Sequence, residues 1–394
     1  MERNAVRESE NRTPKSEGNP KAGIRTRSEA CGQPTRLTTE YRENAKYAIM
    51  PIKLQSVPQS PVSDFEVRRS FGPRISALGF LLAFCLSAAA AAKSAPSPDR
   101  TSVVLVVGAP GEPAYASNFV QQAEQWKKAC ARASCSCITL GLDSAAATSD
   151  CELLQQTLAT EPKDGLGQLW LVFIGHGTSD GREARFNLRG PDVSATELGQ
   201  WLQPFRRPLA FVDTSSASGP FLNKLSGTNR IIITATRSGR EQNYARFGKY
   251  FAEAISNPEA DLDKDGQVSL LEAFLSASRQ TAEFYKVEGR IQTEHALLDD
   301  NGDGLGTPAD WFRGVRAVKK AKEGAALDGL LAQQFVLIPS EAERKLAPEF
   351  RARRDALERS VLLYRDKKGA VPEEQYYREL ERLLLELARL YDQS

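Results

Sequence analysis

Two apolar runs in the middle of this 394-residue chain end in residues that can do chemistry: Leu-Trp-Leu-Val-Phe-Ile-Gly-His-Gly at 169–177 and Pro-Leu-Ala-Phe-Val-Asp-Thr-Ser-Ser at 208–216. An imidazole at one strand end and a hydroxyl at the next are the components of a general base and a nucleophile. Open α/β sheets bind ligands at the carboxyl ends of their strands, so His176 with Ser216, or with Ser215 one residue earlier, is the candidate catalytic pair.

A second kind of chemistry is written at 261–272, Asp-Leu-Asp-Lys-Asp-Gly-Gln-Val-Ser-Leu-Leu-Glu. Asp261, Asp263 and Asp265 put carboxylates at positions 1, 3 and 5 of a twelve-residue loop, and Gly266 permits its sharp turn. Gln267 offers a backbone carbonyl at position 7, Ser269 stands at 9, and Glu272 can bind through both oxygens at 12. A hard cation needs six to eight oxygens, and this EF-hand spacing wraps them about one point, so Ca2+ is the expected ligand. A weaker relative follows at 299–310, with Asp299, Asn301, Asp303, Gly304, Thr307 and Asp310 at the matching places. Asp310 is shorter than Glu, and Gly306 and Pro308 discourage an exiting helix. His295 lies just upstream and is read as structural, because neutral imidazole suits softer metals.

The two strand-end motifs resemble those of the legumain and caspase group of cysteine peptidases, in which a His-Gly after one strand and a Cys after the next form a dyad. The legumain pattern Glu-Ala-Cys-Glu-Ser-Gly lines up with Thr214, Ser215, Ser216, Ala217, Ser218 and Gly219, so the nucleophile position falls on Ser216. The likeness covers about 101–290 and implies a caspase-like, mostly parallel α/β sheet with helices on both faces. It also implies a cleft for a peptide or protein ligand, with Thr234-Ala235-Thr236 walling the groove and Arg237 and Arg240 facing anionic groups. The departure is chemical. A thiol is partly ionised near neutral pH, whereas a serine hydroxyl needs a base within hydrogen-bond reach. The expectation is therefore a degenerate peptidase used as a binding or regulatory module. The alternatives are an active hydrolase using Ser216 and His176, and a calcium-dependent adhesion or scaffold module.

The pattern that must position these residues alternates apolar strands near 102–108, 136–142, 168–175, 208–214 and 230–236 with amphipathic helices near 115–131, 150–159, 195–204, 219–226 and 245–256. The piece at 184–190 reads as a hairpin arm roofing the cleft, and Gly219-Pro220 opens a helix whose first N–H groups could hold an oxyanion. Residues 291–325 form the second loop and a connector. From 326 a strand at 334–340 precedes a helical hairpin, with Leu346, Phe350, Leu357, Val361 and Tyr364 on one arm and Tyr376, Leu380, Leu383, Leu387 and Leu390 on the other.

The formal net charge of +2 gives no argument for nucleic acid, and the basic pairs around Arg206–Arg207 and Arg351–Arg354 read as solvated faces. A basic start, an apolar run at 75–86 and an alanine tract make 73–93 a secretory signal, with no stable membrane span left after cleavage near 90–93. A periplasmic or secreted protein is expected. The polar stretch at 1–72 is then a disordered extension, or a mis-assigned one if translation starts at Met50. Four of the six cysteines follow the signal: Cys130, Cys135, Cys137 and Cys151. Two disulfides in any of three connectivities, or four buried thiols, are open.

Overall fold

Five parallel strands, four of them buried along nearly all of their length, build the core. In the computed structural model, which describes residues 98–143 and 147–392, these are β1 (Ser102–Val107), β2 (Ser136–Leu140), β3 (Leu169–Ile174), β4 (Leu209–Asp213) and β5 (Arg230–Thr234). The expected extension and signal lie outside the described residues. Two short antiparallel strands, β6 (Leu297–Asp299) and β7 (Thr307–Pro308), complete a seven-stranded sheet in the order β7-β6-β5-β4-β3-β1-β2. Residues 291–325, expected as a connector, thus lengthen the main sheet. Three- and two-residue strands are too short to show a period of two, which is why the sequence hid them.

Successive side chains of a strand point to opposite faces, and both faces here are covered. On one, Val103, Leu105, Trp170, Val172, Ala210, Val212, Ile231 and Ile233 meet α1 (Pro113–Ala133), α5 (Phe247–Ala254) and α6 (Leu270–Val287). On the other, Val104, Val106, Leu171, Phe173, Phe211 and Ile232 meet α2 (Asp150–Thr160), α3 (Ala195–Leu202) and α4 (Gly219–Leu225). The α/β class and the layered architecture follow the sequence reading. The roof over the strand ends is a three-stranded antiparallel flap, Gly177–Ser179, Ala184–Phe186 and Val193–Ser194, clamped by Phe186 against Phe173 at 4.5 Å between ring centroids.

Arg207 overturns its solvated reading. It is 2% exposed, donates to the carbonyls of Gly167, Gln168 and Arg100, and pairs with buried Glu161 at 3.4 Å. Ser102 Oγ donates to the same carboxylate at 2.8 Å, so this ion pair ties the starts of β1 and β3 to the end of α2. The sequence could not separate Arg207 from exposed Arg206, because only the loop's path turns one of them inward.

The expected strand at 334–340 is not one. Phe335 and Leu337 are buried with Val336 half-buried between them, but the segment crosses the start of α6 and makes a single bridge, Ser269 to Val336. Beyond it lie α7 (Glu341–Lys345), α8 (Pro348–Arg365) and α9 (Glu373–Tyr391). The last two form the expected hairpin, with Leu357, Tyr376, Leu383 and Leu390 buried and Tyr364 stacked on Tyr376. Among the described residues, no helix is long and apolar enough to cross a membrane.

Candidate functional site

His176 and Ser216 do sit at neighbouring strand ends, two residues beyond β3 and three beyond β4, and those strands pair in parallel. Their side chains go different ways. Ser216 is 2% exposed, and its Oγ donates to the Gly177 carbonyl at 3.0 Å and accepts from the Gly177 N–H at 3.2 Å. Gly177 has no alternative here: a Cβ on it would lie 2.3 Å from the Ser216 carbonyl oxygen and 2.8 Å from Ser215 Oγ. Ser215, fully buried, donates from Oγ to Asp213 Oδ1 at 2.6 Å.

The half-buried His176 ring packs edge-on against Tyr115 and Phe119, with centroids at 4.7 and 5.2 Å, and lies 5.9 Å from Tyr244. Burial pushes its pKa down, opposed by a hydrogen bond to the Pro110 carbonyl and by the charge of Glu112. Among the described residues no hydrogen bond joins His176 to either serine. A neutral imidazole turned into an aromatic cage does not deprotonate a hydroxyl held by backbone on both of its polar functions.

Asp213, which the sequence reading passed over, ends β4 beneath these serines. It is completely buried; Oδ1 accepts from the N–H and hydroxyl of Ser215, and Oδ2 has no hydrogen-bond partner among the described residues. Desolvation pushes its carboxyl up to about 7. Its signal was in plain sight, as an Asp closing an otherwise apolar strand. Ala217 follows with φ +54°, a left-handed backbone that costs an L-residue about 1–2 kcal/mol. The N–H of Ala217 donates to the Glu241 carbonyl at 2.8 Å, which holds the turn.

The remaining groove expectations are met only in part. The Gly219 N–H donates to Thr236 Oγ1 at 3.0 Å, and Thr236 also bonds Ser218, so the first donor of α4 is not turned toward an oxyanion. Thr234 and Thr236 are fully buried. Arg237 and Arg240 are exposed, and Arg237 pairs with Glu241 at 3.1 Å. Glu241 also meets Nδ1 of His295 at 2.7 Å, in keeping with a structural role for that imidazole.

The loop at 261–272 closes as its spacing implies. Carboxylate oxygens of Asp261, Asp263 and Asp265 lie within 4.8 Å of one another, and Gly266 takes φ +84°. Asp261 accepts from the N–H groups of Lys264 and Gly266 at 2.6 and 3.1 Å, and Asp265 accepts from that of Gln267 at 2.8 Å. Glu272 folds back from the first turn of α6: Oε1 accepts from the N–H groups of Leu262 and Asp263, and Oε2 from Ser269 N and Oγ, both at 2.8 Å. Desolvation, and after it the charges of Glu272 and Asp265, push the Asp263 carboxyl up.

The second loop runs from the end of β6 to the start of β7. Asp299 accepts from the N–H groups of Gly302 and Gly304, both at 3.0 Å, as Asp261 does from the same loop positions. Asp310 lies on an exposed 3-10 turn, Ala309–Trp311, and among the described residues makes no hydrogen bond to the loop. Asp328 fills the twelfth-position role instead. Its Oδ1 accepts from the N–H groups of Asp300 and Asn301, loop positions 2 and 3, and its Oδ2 from the hydroxyl of Thr307, position 9. Glu272 makes the same set of bonds to its own positions 2, 3 and 9. Local spacing could not reveal Asp328, because it arrives from eighteen residues past the expected loop end.

No protein-family model and no curated protein matches the sequence. Among solved structures, the chain is similar to the Drosophila initiator caspase Dronc, at 13% identity over 53% of this chain and 82% of that one, with a TM-score of 0.36. It is also similar to a protein of Geobacter sulfurreducens at 12% identity, 51% and 93% coverage and TM-score 0.35, and to caspase-1 of Spodoptera frugiperda at 10%, 52% and 88%, and 0.33.

Proposed function

We propose that this chain is an exported, calcium-binding protein that retains the strand-end arrangement of a caspase- or legumain-like peptidase as a binding or regulatory module, without peptidase activity. The observation that carries the reading is the state of Ser216, buried and hydrogen-bonded to both the N–H and the C=O of Gly177 while the His176 ring faces Tyr115 and Phe119. A serine nucleophile depends on a hydrogen-bonded base, and a hydroxyl fixed this way has none. The exposed rim formed by the flap, Arg237 and Arg240 is where a peptide ligand would lie.

Calcium belongs to the same reading. Asp261, Asp263, Asp265, the Gln267 carbonyl and Glu272 offer oxygens of the hard type, and three carboxylates converging within 4.8 Å repel one another in a way that a divalent cation would relieve. In the second loop the ligand set is Asp299, Asn301, Asp303 and, in place of Asp310, Asp328. Extracellular calcium is high enough to fill millimolar-range sites, so the ion acts in stabilisation.

The discriminating experiment is labelling with a fluorophosphonate beside a screen of mixed peptide libraries. Absence of both labelling and cleavage is expected. Labelling that disappears in Ser216→Ala and in His176→Ala would establish a serine hydrolase instead, and labelling lost only in Ser215→Ala would move the nucleophile by one residue. Export is tested by sequencing the N-terminus of the purified protein, expected to begin between about 88 and 95.

A further inference from the structure

The central sheet sorts the four cysteines of the described residues. Cys130, Cys135 and Cys137 pack on the face covered by α1, while Cys151 packs on the face covered by α2 and α3. Each of the three ways to make two bridges among these four requires Cys151 to cross the sheet, so in the fold these four cannot make two. The three thiols on the first face are gathered by local geometry. Ser134, left-handed at φ 55°, caps α1 and folds the chain back so that the Cys135 N–H donates to the Cys130 carbonyl at 3.2 Å. The Cys135 thiol also donates to the Cys130 carbonyl at 3.6 Å, and Cys137 stands two residues further on, on the same side of the edge strand β2 and against the same core.

We infer that Cys130, Cys135 and Cys137 form a thiol–disulfide exchange site, in which Cys130 bridges to one or the other neighbour on reaction with a low-molecular-weight disulfide. Cys130 is buried, whereas Cys135 and Cys137 are half-buried and are the sulfurs an external reagent can meet. The outer sulfurs are the accessible ones, so attack starts from the outside; the neighbouring Cys130 thiol lowers both of them, Cys137 to about 7, and is itself raised.

The Cys137 thiolate attacks one sulfur of RSSR; the S–S bond breaks, RS⁻ leaves and takes a proton, and a mixed disulfide forms. Cys130 then loses its proton to solvent and attacks the Cys137 sulfur, expelling the second RS⁻. Two protein thiols are oxidised and one external disulfide is reduced to two thiols. The Cys135 thiolate, on attacking Cys130 in that bridge, forms Cys130–Cys135 and returns Cys137 as thiolate with no net redox change. The odd sulfur is thus always an outer one. Among the described residues the three sulfurs do not all come within 4.8 Å of one another, as the carboxylates of Asp261, Asp263 and Asp265 do, which separates the cysteine trio from a zinc site.

The test is peptide mapping of the full chain after treatment with oxidised glutathione and alkylation, with Cys31 and Cys85 tracked separately. The expected result is one bridge among these residues, divided between Cys130–Cys135 and Cys130–Cys137, with Cys151 alkylated. Cys135→Ser leaves only Cys130–Cys137, Cys137→Ser leaves only Cys130–Cys135, and Cys130→Ser leaves glutathione on the outer sulfurs and no internal bridge. A Cys135–Cys137 bridge, a bridge to Cys151, Cys31 or Cys85, or glutathione adducts alone in the wild type would overturn the proposal. Should Cys130→Ser fail to fold by circular dichroism, the two outer variants decide it.

Discussion

Asp213 shows how one buried carboxyl sets a pH dependence. Its pKa is raised from 3.8 to about 7 by desolvation, so between those values the folded chain binds a proton that the unfolded chain has lost. The sign follows: stability from this group is full below about 4, falls by up to ~1.4 kcal/mol per pH unit as pH rises toward 7, and stays lost above. Asp213→Asn is expected to flatten that slope, leaving a urea midpoint at pH 8 close to that at pH 5; an unchanged slope would mean the carboxylate is charged at both. At Gly177 the constraint is steric. A methyl group would sit 2.3 Å from a backbone oxygen, so Gly177→Ala is expected to cost ~1–3 kcal/mol by denaturant titration, with Gly181→Ala at the flap turn as a control whose Cβ meets nothing within 4 Å. Gly181 has φ +85°, so the control carries backbone strain without the clash.

The two acidic loops are elements with one bonding scheme and two chain paths. In the first, Glu272 is both the twelfth ligand position and the capping-box residue of α6, so the same carboxylate orders loop and helix. In the second the carboxylate comes from Asp328, beyond two short strands. Asp261→Ala or Glu272→Ala is expected to remove most of the calcium-dependent rise in melting temperature, which for a site filled at a hundred times its Kd is worth ~2.7 kcal/mol. Asp328→Ala is expected to reduce that rise further than Asp310→Ala, which should leave it intact. Identical melting curves in calcium and in chelator would remove the structural role of the ion. Equal effects at 310 and 328 would return the second loop to its sequence-based ligand set.

For the whole molecule, the buried ends of the sheet matter as much as its middle. Arg207 and Glu161 are buried at 0% and 2% side-chain exposure, and the guanidinium also satisfies three backbone carbonyls. Removing one partner leaves the other charge uncompensated, so Arg207→Met is expected to destabilise by ~3–5 kcal/mol. Arg207→Met with Glu161→Gln should recover part of that loss in a urea titration. A single variant within ~0.5 kcal/mol of wild type would show that water reaches the pair.

The five parallel strands and the helices between them were legible because the strands are continuous apolar runs set between amphipathic helical stretches, and the closure of the first acidic loop because its carboxylates come from twelve consecutive residues. Sequence also put His176 and Ser216 at neighbouring strand ends, since strand-end position is a local property. What those side chains face is not local. The aromatic cage of His176 comes from α1 and from Tyr244, the lock on Ser216 from the Gly177 backbone, the added carboxylate of the second loop from Asp328, and the partners of buried Arg207 from three separate segments. The cysteines show the same division. Spacing counted four and allowed three pairings; only the sheet, by placing Cys151 on its far side, could exclude them all, because connectivity across a layer depends on which face each side chain leaves the backbone.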